Sequence, residues 1–487
     1  MIILAPIFAI FIVVFIIICA FIVNAVTNES LVPARDYTGG RGTYSKNKSD
    51  RYITRKHISI VKSTLSYAPV VEIIKTALSN DIANLNPIAT FAELKHRLPY
   101  SKDVKINSSS VHLGQIKLFL SELEFMTYCL HEHSDSALFV YAGSAPSHKI
   151  LLLCDMFPNI KMLLIDPHDH HVMGKTNAVV YLKTTSVGKR YGIGKHHFNV
   201  YAGGRVVFAQ RKNIAELTRN VIAPDIDFIK SSSYKIYIYE DYMTEQIARL
   251  FSDTSCYFIS DIRTNMEGDS PSDLDIIWNS AQQLVWLDKM RPIKSMLKFR
   301  PPYNAQPNSE IAAANYPEII ASKALGIDFV ADHAAGKFKY FQPETIFLQA
   351  FAGVNSSETR LIVSNYSDFH EYDPKDYDEK FSCFNKIQRG LIFHNHEMLD
   401  KSMRIDGCND CALMAKIYSD YNKKYNLKFD GLAQIKDITG IMNRSFQEYP
   451  LHGLLYKQYP NLDAVQQYQM YIPYIMIFEE YRDVLAG

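Results

Sequence analysis

Charge imbalance is missing from this sequence. Its 52 lysines and arginines face 51 aspartates and glutamates, a formal net charge of +1 over 487 residues. Binding nucleic acid through overall charge needs a large excess of one sign, so any RNA or DNA site must be a local patch. A cysteine framework is missing too. The seven cysteines (Cys19, Cys129, Cys154, Cys256, Cys383, Cys408, Cys411) are odd in number and irregularly spaced, which favours a reducing compartment for the main body. No internal repeat is visible. No ionisable side chain precedes Glu29, and Ile2 to Val23 is apolar without a charge. A helix rising about 1.5 Å per residue crosses a ~30 Å hydrocarbon core over that length. The positive leading region and shorter apolar core of a cleaved signal peptide are lacking. A retained membrane anchor is therefore expected over residues 1–26.

The flank after the span carries Arg35, Arg41, Lys46, Lys48 and Arg51, with nothing basic before it. The positive-inside rule then puts the body in the cytoplasm. With 47% hydrophobic and 12% aromatic residues the composition is that of a folded protein. Residues 27–60 are polar and rich in Gly, Ser, Asn, Lys and Arg, and read as a flexible tether. Residues 61–425 read as one α/β domain, and 426–487 as a helical, tyrosine-rich extension.

Within the domain, apolar residues recur at helical spacing from Leu113 to Leu130, which predicts an amphipathic helix. Then FVYAGSAPSHKILLL, residues 139–153, runs from an apolar strand through Gly143 and small residues into a helix pattern, and MLLID ends a second strand at Asp166. That is a β-α-β unit with a parallel strand pair. Strands are expected at Tyr234–Tyr239, Ser255–Asp261, Ser295–Phe299, Thr345–Phe351 and Thr359–Ser364, with a helix at Asp273–Met290. Residues 170–215 hold Lys175, Lys183, Lys189, Arg190, Lys195, Arg205, Arg211 and Lys212 without an acid. They read as an inserted basic loop or hairpin, either solvated or gripping RNA phosphates.

A strand ending at glycine lets backbone approach a ligand, and the next helix aims its N-terminal amides at the same place. An acid at the end of the second strand is where Rossmann-like folds bind adenosine ribose hydroxyls. This geometry suggests an adenosine-containing cofactor with Asp166 on the ribose. A single turn glycine, without GxGxxG, fits a dinucleotide pyrophosphate poorly and disfavours a dehydrogenase. S-adenosylmethionine has no phosphates and fits better. A plain strand–helix turn is the alternative.

Four more residues bear on the choice. Lys117 lies on the preceding helix, Asp261 ends a strand, Lys298 lies in SMLKF and Glu358 opens ETRLIVS. Groups at strand ends converge on one crevice. A Lys–Asp–Lys–Glu set suits methyl transfer from S-adenosylmethionine to a ribose 2′-hydroxyl, where a base must take the hydroxyl proton. A second lysine and partial burial can lower a lysine from about 10.4 by ~2–3 units. Each residue taken alone also reads as a solvated or salt-bridged surface group.

LPY (98–100), GQIKLFLSELEF (114–125), VYAGSAP (140–146), MLLID, ISDIR (259–263), SMLKFRPPY (295–303), SSETRLIVS (356–364) and FNKI (384–387) are collinear with a known family. The chain resembles the poxvirus cap-specific mRNA 2′-O-methyltransferases, which also serve as poly(A) polymerase small regulatory subunits. The likeness runs over about residues 95–420. It implies a Rossmann-like methyltransferase of viral origin that uses S-adenosyl-L-methionine and acts on capped mRNA. It also implies Lys298 as base within Lys117, Asp261, Lys298 and Glu358. The cofactor would lie against Tyr141, Gly143, Ser144, Ala145, Pro146 and Asp166, with Tyr239 near the adenine and His168 where the family has an arginine. Tyr303 matches one cap-stacking ring and Asp378 one cap-site acid. A viral poly(A) polymerase catalytic subunit is an implied partner, and a virion membrane a second home for the anchor.

The sequence departs from the family at the second turn glycine (Ser147), at the second ring (Asn355) and at another cap-site acid (Ala305). Tyr67 is a candidate replacement ring. The anchor and the basic 170–215 segment lie outside the family pattern, and Lys189, Arg190 and Lys195 are its candidate RNA contacts. His394, His396, Cys408 and Cys411 form HxH followed by CxxC, a loose zinc spacing. A non-catalytic polyadenylation cofactor or RNA-binding scaffold of the same fold is the competing reading.

Overall fold

The computed structural model describes residues 87–97, 114–147, 149–172, 176–185, 197–264, 271–303, 311, 315–350, 352, 356–385 and 409–427. In chain order these form α1 (Gly114–Cys129), β1 (Ala137–Ala142), α2 (Ile150–Met156), β2 (Ile160–Ile165), β3 (Val179–Lys183), β4 (His197–Ala202), β5 (Arg205–Gln210) and α3 (Arg211–Leu217). Next come α4 (Ile226–Ser231), β6 (Ile236–Tyr239), α5 (Glu245–Arg249), β7 (Tyr257–Ser260), α6 (Asp273–Met290) and β8 (Ser295–Phe299). The remainder are α7 (Pro317–Ala324), α8 (Phe329–Ala334), β9 (Phe338–Phe341), β10 (Thr345–Phe347), β11 (Thr359–Val363), β12 (Phe369–Tyr372), α9 (Pro374–Cys383) and α10 (Asn409–Lys424).

Ten described strands make one sheet in the order β10-β11-β8-β7-β1-β2-β6-β3-β4-β5. The centre, from β8 to β4, is parallel, with antiparallel edges at β10–β11, β11–β8 and β4–β5. Period-two alternation explains the two apolar faces. Phe139, Tyr141, Met162, Leu164, Ile259 and Met296 face one layer, with Phe119, Leu123 and Met126 of α1 and Ile417 of α10. Val140, Ala142, Leu163, Ile165, Phe258 and Leu297 face the other, with Ile277, Leu284 and Leu287 of α6. The mixed α/β architecture with its mainly parallel sheet is consistent with a Rossmann-like fold.

The chain leaves β1 towards β2 on one side and returns through β7 on the other. The crevice at such a reversal is where open α/β sheets bind ligands. Gly143 has φ +78 there, and an added Cβ would lie 2.7 Å from Ile262 N and 2.8 Å from the Asp261 carbonyl carbon. The glycine is thus demanded by close packing of the turn on the backbone after β7. The sequence reading had ascribed it to the approach of a ligand.

Other expectations change as well. The 170–215 segment is no simple loop or hairpin. β3 joins β6 in parallel, and the β4–β5 hairpin widens the sheet beyond it. The strand expected over Thr345–Phe351 is short, Thr345–Phe347, and the small β9–β12 sheet went unread. Among the described residues no helix is long and apolar enough to cross a membrane. The expected anchor (1–26) and tether (27–60) lie outside the described residues, as does the extension beyond residue 427.

Replacing Gly143 with alanine should lower stability by about 2 kcal/mol from the left-handed backbone alone, before any displacement of Asp261. Urea unfolding measures this, and an unchanged midpoint with unchanged slope contradicts it.

Candidate active site

Lys117 stands on α1, Asp261 follows β7, Lys298 lies within β8 and Glu358 precedes β11. The fold brings the four together. Lys298 Nζ pairs with Asp261 Oδ1 at 2.9 Å and donates to the Asp261 backbone carbonyl at 3.2 Å. Lys117 Nζ donates to Glu358 Oε1 at 3.1 Å. Two further residues tie these pairs into one cluster. The Arg360 guanidinium lies 2.7 Å from Asp261 Oδ1 and 3.6 Å from Glu358 Oε1. Arg263 closes on the other Glu358 oxygen.

Four basic side chains therefore surround two carboxylates. Arg360 and Lys298 are direct cross-strand partners in the β11–β8 ladder. Like charges opposite one another are unfavourable, and Asp261 offsets this by contacting both. Burial raises the Asp261 carboxyl, but Lys298, Arg360 and Lys117 outweigh it and hold Asp261 well below the usual carboxylate range. Burial is also the main force on Lys298. With Arg263, Arg360 and Lys117 it overcomes the attraction of Asp261 and holds the amine well below the usual lysine value. Burial, then Arg360 and Arg263, bring Lys117 down to about 7 against Asp261. The sequence reading credited a second lysine together with partial burial, and burial is indeed the largest cause. For Lys298, burial and the two guanidiniums rank ahead of the second lysine.

Arg263 and Arg360 went unremarked in the sequence, although each stands two positions after a chosen acid. On a strand that spacing returns a side chain to the same face, which was the available signal for Arg360. Glu122 and Lys149 also went unremarked. They form an ion pair of 3.1 Å, each side chain 1% exposed, between α1 and the start of α2. Burial pushes both towards their neutral forms.

At the end of β1, the Gly143 amide donates to the Ile165 carbonyl at 2.9 Å. Asp166 accepts from the Ala145 amide at 3.2 Å, the His168 amide at 2.8 Å and His168 Nδ1 at 2.9 Å. A carboxylate offers about four acceptor positions, so one remains beside the turn, and the residues present fit an adenosine ribose. Pro146 accepts the His171 amide at 2.8 Å. Tyr141 is buried at the end of β1, and burial with the neighbouring Glu122 charge pushes its phenol well above the usual range. Tyr239, also buried, ends β6 one strand away from Asp166.

Beneath the turn runs a buried polar chain. Ser144 Oγ lies 2.8 Å from His170 Nε2, the His170 amide donates to Glu240 at 2.9 Å, and Arg211 pairs with Glu240 at 2.6 Å. Burial raises the Glu240 carboxyl, but His170 and Arg211 outweigh it and bring it down to about 2. Arg211 is 1% exposed and Lys183 is paired with Asp241 at 2.6 Å. Neither is a free phosphate contact, so those two members of the basic segment are corrected. Arg205 and Lys212 are exposed.

Tyr303 and Asp378 do come together, with a third residue between them. The Arg300 guanidinium lies 3.2 Å from the Tyr303 ring centroid and 3.7 Å from Asp378 Oδ1. Lys189, Arg190, Lys195, Tyr67, Ala305, Asn355, His394, His396 and Cys408, together with the Cys411 side chain, lie outside what the structure describes.

Residues 84–208 match the family model for the poly A polymerase regulatory subunit. The matched span includes Lys117, the Gly143 turn and Asp166, while Asp261, Lys298 and Glu358 lie beyond it. The chain is also 25% identical over 327 residues to the cap-specific mRNA (nucleoside-2′-O-)-methyltransferase of myxoma virus strain Lausanne, covering 64% of this chain and 72% of the relative. The strain Uriarra protein matches equally. The fowlpox virus strain NVSL protein of the same name is 25% identical over 227 residues, 45% of this chain and 57% of its own length. The resemblance read from the sequence is borne out.

Two outcomes follow from the charge cluster and the buried chain. A lysine acting as base would work deprotonated, so activity depending on it should be present above its pKa and lost as pH falls through it. Arg263→Gln removes one cation and frees Glu358, and both changes favour protonated lysine. The acidic limb of the rate profile should therefore move to higher pH, and a limb that stays put contradicts the role of the guanidinium. Glu240→Gln leaves buried Arg211 with only Asp169, at 3.3 Å, as counter-charge and should destabilise by up to about 3 kcal/mol, read by thermal or urea unfolding.

Proposed function

We propose that this protein transfers the methyl group of S-adenosyl-L-methionine to the ribose 2′-hydroxyl of the first transcribed nucleotide of capped mRNA. One observation carries the reading. Lys298 Nζ donates to the Asp261 carbonyl at 3.2 Å and lies 2.9 Å from Asp261 Oδ1, so the acid holds the amine at the end of the sheet. A neutral amine held there has a lone pair to offer a substrate proton. The names of the viral relatives support the same chemistry.

The bound cofactor supplies an electrophilic sulfonium methyl. Lys298 takes the hydroxyl proton as the sugar oxygen bonds to the methyl carbon and the carbon–sulfur bond breaks. Asp261 stays ionised and orients Lys298. Arg360 spans Asp261 and Glu358, and Glu358 holds Lys117, so the second amine supports a cluster already short of negative charge. Asp166 takes a ribose hydroxyl, and Tyr141 with the Gly143–Pro146 turn backs the cofactor. Tyr239 would sit on the adenine side of the cofactor, with His168, paired with Asp166, beside it. Tyr303 and Asp378 receive the methylated guanine. Lys189, Arg190 and Lys195 contact RNA phosphates.

The uncharged span before Glu29 supports tethering of this activity to a membrane, with the catalytic domain facing the cytoplasm or in a virion membrane. A second role, as partner of a viral poly(A) polymerase catalytic subunit, is favoured by the family description of residues 84–208.

Labelled-methyl transfer to cap-0, unmethylated-cap and uncapped RNAs tests the reading. Wild-type protein should label the 2′-oxygen of cap-0 RNA, and Lys298→Ala should lose about 10²–10⁴-fold in rate, the range for a removed general base. Full activity of the variant would overturn the assignment. Absence of cofactor binding by calorimetry in both proteins would leave only the polymerase-partner role.

A further inference from the structure

The place between Tyr303 and Asp378 already holds a cation. Arg300 follows β8 directly, two positions after Lys298, so its backbone is fixed by the sheet that carries the proposed base. Its guanidinium lies 3.2 Å from the Tyr303 ring centroid and 3.7 Å from Asp378 Oδ1. The Tyr303 backbone N–H donates to Asp273 Oδ1 at 2.7 Å, and Asp378 Oδ1 accepts from the Ser357 hydroxyl at 3.3 Å. Ring and acid are thus held from outside.

A guanidinium is flat, delocalised and positively charged, and it stacks on an aromatic face. A methylated guanine shares all three properties. The two therefore compete for one ring and one carboxylate. Arg300 is held only loosely by hydrogen bonds. Nε donates to the adjacent Pro301 carbonyl at 3.2 Å, and one terminal nitrogen is buried without a hydrogen-bond partner. A cation that stacks well but bonds poorly is suited to being displaced.

We infer that Arg300 is a specificity-determining residue that fills the base site from within the chain, so that a ring must displace it and a cationic, electron-poor ring does so best. This rests on the cap reading given above. A neutral guanine stacks less strongly on an electron-rich ring and gives Asp378 no positive charge, so it competes poorly with the arginine. Discrimination then comes from the competitor as well as from the pocket. It also suits a site where other expected cap contacts are replaced by Asn355 and Ala305.

The test measures binding of 7-methyl-GTP and GTP to the full-length protein by calorimetry, for wild type, Arg300→Met and Arg300→Lys. Methionine keeps the stem and removes the competing charge. Its affinity for 7-methyl-GTP should rise by about two- to thirty-fold, the span of reported ring–cation strengths. GTP should gain more, so the ratio between the two falls. Lysine keeps the charge without the flat face and should lie between. Unchanged affinity for S-adenosylmethionine shows that each variant is folded, and should the methionine variant fail that check, the lysine variant carries the test. Affinity for 7-methyl-GTP that holds or falls, or a ratio that does not fall, overturns the inference alone. If neither nucleotide binds any of the proteins while S-adenosylmethionine binds all of them, the cap reading fails and takes the inference with it.

Discussion

Lys298 and Arg360 face each other across two antiparallel strands, and the carboxylate of Asp261 contacts both. The rest of the site depends on that arrangement. Without the acid, two cations would be forced together in a buried place. With it they are tolerated, yet the acid cannot neutralise both and also answer Lys117 and Arg263. The surplus of basic groups, together with burial, holds the Lys298 amine well below the usual lysine range. The sheet has to be mixed for this to work. β11 runs antiparallel to β8, so its beginning, where Glu358 sits, lies at the same end as the finish of β7, where Asp261 sits.

The cofactor side is built differently. There the polar groups are satisfied within the turn itself, with Asp166 receiving two backbone amides and a histidine. The chain from Ser144 through His170 and Glu240 to Arg211 runs from the turn into the added sheet edge. The β3–β4–β5 region therefore belongs to the support of the turn. Buried polar networks help specify one arrangement, and this one joins residues far apart in sequence.

Much of this was legible before the structure. α1, β1, β2, β8 and α6 carry strong apolar periodicity, and they formed where that periodicity placed them. The four residues of the proposed catalytic set were readable because each stands at a recognisable strand end or helix face. What escaped was pairing. Arg360 and Arg263 drew no notice, since nothing local says that a strand running backwards will set one of them opposite Lys298. Arg211 read as one of many basic loop residues, because Glu240, its counter-ion, lies 29 positions away. The short β9 and β12 strands are likewise held by pairing rather than by a strong pattern of their own.

Gly143 has so little room that the turn after β1 and the peptide after β7 share one contact surface. Neither loop can shift without the other. Selection or engineering that re-aims the turn towards another ligand would drag the acid that orients the proposed base along with it. Choice of donor and strength of the base are thus inherited as a single trait, and one missing methyl group is what binds them.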